Sequence, residues 1–209
     1  MASSTAETRP RPVFVLTGTS GEGKSTLAKL LVQRVSELEL AISATTRPKR
    51  PGEQDGRDYW FLTDAEFDRR LAEGGFLEWV ELPWGEGYRS GTLWSELERI
   101  AGEGRSPVLE IETGGALAVR DRVPAAVTIF VTAPSREERE RRLRSRATES
   151  EGEIDERLDI AERQLELAPE FDHTLVNDDR ERAVKELEGI VRGALDGAGT
   201  MAAHDPSPR

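Results

Sequence analysis

The stretch Gly18-Thr19-Ser20-Gly21-Glu22-Gly23-Lys24-Ser25 restricts what this chain can fold into more than any other feature. It fits the spacing G-x-x-x-x-G-K-[ST]. It also lies between an apolar run, Val13-Phe14-Val15-Leu16, and a segment with Leu27, Leu30, Leu31 and Val35 on one helical face. A strand, a glycine-rich loop and a helix in that order form an anion cradle. The glycines let the backbone curl until successive N–H groups converge on one phosphate, and the helix N-terminus adds partial positive charge. Lys24 supplies a full charge for the β- and γ-phosphates of ATP or GTP, and the Ser25 hydroxyl suits Mg²⁺, which bridges the phosphates. Gly18, Ser20, Gly21, Glu22, Gly23, Lys24, Ser25 and Thr26 are thus the candidate triphosphate-binding residues. An acid inside such a loop faces phosphates, so the Glu22 side chain is expected to point outward.

The rest of the chain alternates short apolar runs, at 13–16, 41–43, 107–111, 127–131 and 174–176, with helical patterns at 24–36, 95–103, 115–121, 135–146, 152–167 and 179–194. Such alternation predicts an α/β fold with a parallel sheet covered on both faces. The stretch 43–92 breaks the pattern. It is rich in charges and aromatics, including Tyr59, Trp60, Phe61, Trp79 and Tyr88, and reads as an inserted subdomain of short strands with one helix near 64–73. Trp60, Phe61 and Trp79 are expected to form its core. Residues 1–11 and 197–209 read as a disordered leader and tail.

Composition removes whole classes of chemistry. The 209 residues include no cysteine and only two histidines, His173 and His204, which leaves no thiolate nucleophile and almost no route to a histidine triad or metal cluster. No apolar run reaches the roughly 18 residues of a membrane span, and the N-terminus lacks a secretory hydrophobic region, so a cytoplasmic location is expected. A net charge of −11 argues against a nucleic-acid partner. Anionic small molecules must then be held by local groups.

Several further segments, in order, resemble guanylate kinases: Ser43-Ala44-Thr45-Thr46-Arg47-Pro48-Lys49-Arg50-Pro51-Gly52-Glu53, Gly56-Arg57-Asp58-Tyr59-Trp60-Phe61, Phe76-Leu77-Glu78-Trp79, Tyr88-Arg89-Ser90-Gly91-Thr92, Ile129-Phe130-Val131-Thr132-Ala133-Pro134-Ser135 and Asn177-Asp178-Asp179. The likeness runs collinearly from about 13 to 195. It implies a three-layer P-loop kinase core (12–42, 93–140 and 160–196), a mixed α/β GMP-binding insertion (43–92) and a helical lid (141–159). The implied activity is ATP- and Mg²⁺-dependent phosphorylation of GMP, and of dGMP, to the diphosphate.

The residues suit that chemistry. Arg47 and Arg50 offer planar forks to a phosphate dianion, and Tyr59 and Tyr88 add hydroxyl donors. Guanine presents two adjacent donors, N1–H and N2–H₂, which match one carboxylate. The resemblance makes that carboxylate Glu78, with Ser43, Ser90, Thr92 and Glu112 completing the GMP side and Asn177 on the adenine side. It also draws Arg146 and Arg157 from an arginine-rich lid over the phosphates beside Arg50 and Lys24, as the catalytic set. The interleaved acids Glu137, Glu138 and Glu140 indicate that several of the arginines at 136–146 simply form ion pairs.

The chain departs from the family pattern at Lys49 (usually proline), Arg89 (glycine), Glu112 (aspartate), Gly114 (glutamine) and Ala147 (glycine). Two other readings stay open at this point: a related P-loop kinase acting on a modified nucleotide or another phosphorylated small molecule, and a non-catalytic binding module. Oligomeric state is not readable.

Overall fold

The computed structural model describes residues 11–82, 87–144 and 151–200, with side chains described outside 151–157 and 198–200. Strand β1 (Val13–Thr17) is buried along its whole length. Its alternate residues face opposite ways, as a two-residue period requires, so both faces must be covered. Phe14 and Leu16 pack with Leu27, Ala28 and Leu31 of helix α1 (Lys24–Arg34) and with Ala183, Val184, Leu187 and Val191 of helix α7 (Arg180–Thr200). Val13 and Val15 pack on the other side with Leu97 of α3 (Trp94–Gly102) and Ala116 and Val119 of α4 (Thr113–Arg122). The result is a three-layer α/β core.

The central sheet is wholly parallel. Its other strands are β2 (Leu38–Leu40), β7 (Ser106–Glu110), β8 (Ala126–Thr132) and β9 (His173–Val176), in the order β2-β7-β1-β8-β9. The strand expected at 41–43 is instead a junction. The chain leaves β2 at Leu40 and enters a second sheet at β3 (Ala44–Thr45), so the apolar pair Ala41-Ile42 spans the gap between two sheets. Helix α7 continues past the expected end at 194 to Thr200, into the stretch read as a tail; residues 201–209, like residues 1–10 of the leader, lie outside the described residues.

The second sheet runs β4-β3-β6-β5, with β4 at Trp60–Phe61, β5 at Phe76–Glu81 and β6 at Arg89–Leu93. Helix α2 (Asp64–Ala72) starts at a capping box in which Thr63 and Glu66 satisfy each other's backbone N–H groups. Its Phe67 is buried and stacks on Phe76 at 4.3 Å between ring centroids. Arg89 lies over the Phe67 ring at 4.5 Å and pairs with Asp64 at 2.9 Å and with Asp68, so the arginine that departs from the family pattern ties β6 to α2. Trp79 is not core as expected. It is 42% exposed and meets Phe67 edge-on, from β5, the strand at the edge of this sheet. Two contacts fasten this sheet to the core. Leu77 is fully buried in the cluster beneath α4, and Arg122 of α4 donates to the Leu77 carbonyl at 2.5 Å.

Candidate active site

The phosphate loop joins β1 to α1 at the C-terminal edge of the parallel sheet, where ligands of such sheets bind. At Gly18, φ is +133° and a Cβ would collide with the Val131 carbonyl, so only glycine fits there. Gly21 and Gly23 hold left-handed φ values of +89° and +81°, which curl the loop ahead of the helix. Lys24 Nζ donates to the carbonyls of Gly18 and Thr19 at 2.7 and 2.8 Å. Ser25 Oγ donates to Glu110 Oε1 at 2.5 Å.

Glu110 had no role in the sequence reading. It ends β7, the strand beside β1, and pairs with Leu16 in register. A carboxylate at that edge, one strand from a phosphate loop, is the signal that would have found it.

Glu22 corrects an expectation. Its side chain does not point outward; it is fully buried. Oε1 accepts from Thr19 Oγ1 and from Arg139 Nε, each at 2.5 Å. Arg139 comes from helix α5 (Arg136–Arg144), which lies against the loop and supplies a counter-charge that no local pattern around Glu22 could reveal. Other α5 arginines do form the expected ion pairs: Arg141 and Arg142 with Glu138 at 2.6 and 2.7 Å, and Arg144 with Glu140 at 2.9 Å. Arg141, then Arg142, holds the Glu138 carboxyl down at about 2.

One cleft runs from the loop residues Ser20 to Ser25 to the small sheet, lined there by Ser43, Arg47, Arg50, Tyr59, Glu78 and Ser90 and on the core side by Glu110 and Glu112. Glu78 is 3% exposed. A bulge between Phe76 and Glu78 sets it opposite Thr92, whose hydroxyl donates to Glu78 Oε1 at 2.7 Å. Thr92 is itself buried, so it holds the carboxylate from behind. Burial pushes the Glu78 carboxyl above its ordinary range, and the charge of Glu112 pushes the same way. Gly115 on α4 has no Cβ because Glu78 Oε2 occupies that space.

The phosphate-clamp side is more constrained than its residues suggest. Arg47 Nη1 and Nη2 donate to Glu53, at 3.0 and 2.8 Å, and the guanidinium lies 5.2 Å from the Tyr59 ring and 5.8 Å from Phe61. Arg47 holds the Glu53 carboxyl below the usual range. Glu53 also accepts the Arg50 backbone N–H at 2.7 Å, while the Arg50 side chain is exposed. Glu53 therefore fixes the turn that carries both arginines, a role the sequence reading left out. Burial, followed by the Glu110 charge, raises the Tyr59 phenol.

A second pocket opens on the other side of the loop glycines, lined by Thr26, Arg142, Asn177 and Asp178 among others. Asn177 Nδ2 donates to the Glu22 carbonyl at 2.7 Å and so buttresses the loop from that side. Tyr88 is half-buried at the end of β6 and is not part of the cleft wall; its carbonyl accepts from Leu82 N at 2.7 Å. Arg146 and Ala147 lie outside the described residues. Arg157 falls in helix α6 (Glu151–Leu165), at a position whose side chain is not described. The cleft thus joins an amide-and-lysine anion cradle, two arginines on a rigid turn and a buried carboxylate.

The guanylate kinase family model matches residues 9–194. A guanylate kinase of Rubrobacter xylanophilus is 47% identical over 185 residues, covering 88% of this chain and 95% of the relative. One from Thermobifida fusca is 43% identical, covering 90% and 95%. The crystal structure of guanylate kinase from Anaplasma phagocytophilum superposes with a TM-score of 0.72 at 28% identity, over 88% of this chain and 86% of that one.

Proposed function

This chain belongs to the guanylate kinase family, and from that premise we propose which of its groups carry the reaction. It phosphorylates GMP at the expense of ATP. An ionised oxygen of the GMP phosphate attacks the γ-phosphorus, the bond to the β–γ bridging oxygen breaks, and ADP leaves with that electron pair. The attacking oxygen carries no proton at neutral pH, so a general base is not required. Catalysis reduces to positioning and charge neutralisation.

In this reading the loop amides of Gly18 to Thr26 and the Lys24 ammonium hold the triphosphate, with the adenine side in the pocket beside Asn177. Arg47, Arg50 and Tyr59, which line the cleft, take the GMP phosphate. Glu78 accepts guanine N1–H and N2–H₂, with Ser43, Ser90 and Glu112 around the base and Thr92 behind the carboxylate. Arg146 and Arg157 close over the transferring group with Arg50. The observation that carries the reading is the buried Glu78, an acceptor without a cationic hydrogen-bond partner among the described residues, in the same cleft as the phosphate loop.

Mg²⁺ fits the donor set. It takes hard oxygens, needs only one or two from the protein, and keeps waters and phosphates as its other ligands. The Ser25 hydroxyl and Glu110 carboxylate, in contact at 2.5 Å inside the cleft, would hold it. Bound there with ATP, it would offset charge on the transferring phosphoryl. The remaining partners are small-molecule nucleotides. Among the described residues no helix is long and apolar enough to cross a membrane, and a cytoplasmic site of action, where both substrates are drawn, follows from the reading.

An acceptor panel with ATP and Mg²⁺, read by ADP release, tests it. GMP should be used best, IMP, which lacks one donor, should be intermediate, and AMP and CMP should trail by up to about 10⁴-fold. Equal use of AMP and GMP would overturn the base assignment.

A further inference from the structure

We propose that Arg139 is a positioning residue for ATP: it neutralises Glu22, an acid that the phosphate loop itself carries, and fixes that acid away from the triphosphate. The inference rests on the reading of the loop as the ATP site. The Glu22 and Arg139 side chains are 0% and 4% exposed, and their closest atoms are 2.5 Å apart. Glu22 Oε2 is buried without a hydrogen-bond partner, so Oε1 alone binds Arg139 and Thr19. Arg139 is anchored in turn, with Nη2 donating to Thr132 Oγ1 at 3.3 Å at the end of β8. The same stretch of loop is gripped a second time through its main chain. Asn177 binds the Glu22 carbonyl, and Arg142 Nη2 on α5 binds the Asn177 carbonyl at 2.9 Å.

The loop exists to concentrate positive potential, through its amides and Lys24. A fixed carboxylate within it opposes that purpose, and does so strongly where water is excluded. Arg139 cancels the charge and holds the carboxylate toward α5. A buried ion pair seldom stabilises a fold more than apolar residues of the same shape would. Its placement therefore accords with an effect on nucleotide binding more than on folding.

This account predicts an asymmetry that a merely structural pair would not show. Removing the cation leaves a bare acid beside the triphosphate; removing the acid does not. Binding of a non-hydrolysable ATP analogue with Mg²⁺, and separately of GMP, should be measured by calorimetry for the wild type and the variants. Arg139→Met should weaken the analogue by at least about 30-fold and GMP by less than about threefold. Arg139→Lys, which keeps the charge, should stay within about fivefold of the wild type. Glu22→Gln should lose no more than about fivefold, although its melting temperature falls as well, since a buried arginine is left unpaired. The double variant Glu22→Gln/Arg139→Met should recover most of the loss seen in Arg139→Met. Equal losses in Glu22→Gln and Arg139→Met, or no recovery in the double variant, would reduce the pair to a structural brace. If Arg139→Met does not fold, Arg139→Gln, alone and with Glu22→Gln, gives the same comparison. The ATP-analogue titrations contain no acceptor, so their ranking of the variants remains decisive even if the acceptor panel fails.

Discussion

Glu22 and Glu78 are both buried acids in the same cleft, and they are treated in opposite ways. Glu22, in the phosphate loop, faces an arginine and a threonine hydroxyl, and its charge is settled within the protein. Glu78, on the small sheet, has the Thr92 hydroxyl for a partner and Glu112 as a like-charged neighbour; burial, with Glu112 acting the same way and Thr92 against it, pushes its carboxyl up. The loop side is complete without its ligand. The base side carries a cost that guanine, with two donors, relieves. Affinity for the triphosphate can thus come from preorganisation, and selectivity for the base from a deficit only the right base fills.

Lys24→Ala attacks the prepared side and should have the largest effect. It removes a full charge from the loop while the amides remain, and turnover in a coupled ADP assay should fall by roughly 10²–10⁴, equivalent to about 3–5 kcal/mol. Near-normal turnover would mean that the cradle works without the lysine.

Glu78→Gln attacks the deficient side. Activity with GMP should fall by about 10²–10³ and the gap to AMP should narrow. Stability should move the other way. A carboxyl whose pKa is raised on folding favours the fold while protonated and loses that contribution as pH rises through and above the ordinary carboxylate range. The glutamine variant lacks this loss. Without ligand, its melting temperature should exceed that of the wild type by a margin that widens from about pH 4.5 to pH 7, and saturating GMP should shrink or reverse the margin. A flat difference across that pH range would show that Glu78 is as well compensated as Glu22.

Arg146→Ala and Arg157→Ala test whether the lid serves the loop side of the chemistry. Each should lower kcat by about 10- to 100-fold with little change in KM for GMP. A pure KM effect would assign them to substrate binding. The smallest effect is expected from Gly115→Ala. A methyl group there displaces Glu78 Oε2, so KM for GMP should rise by about tenfold while KM for ATP holds. An equal rise in both would mean that α4 had shifted as a body.

Much of this was legible in the sequence, because the signals were local. The phosphate loop announces itself through glycine spacing between an apolar run and a helix. The alternation of strands and helices gave the parallel sheet, since each element's period lies within its own residues. What failed to appear depended on contacts between distant segments. Ala41-Ile42-Ser43 has strand-like composition, yet whether it continues one sheet or crosses to another is decided by β7 and β6. Trp79 reads as core until the strand bearing it proves to be an edge. Glu110 becomes a site residue through the register of β7 on β1, and Glu22 faces inward because of an arginine 117 positions away. Charge compensation between remote residues leaves no periodic trace.

Leu77 and Glu78 are adjacent, yet one is sunk in the core beneath α4 and the other faces the cleft. A point change at either harms mainly one property, packing or base choice. Losing or gaining one residue in β5 would shift both by one place, putting either a charge in the core or a leucine before the substrate. In descent, then, the length of β5 should be inherited more strictly than the identity of most of its residues, and lineages that vary the size of this subdomain should do so outside this strand.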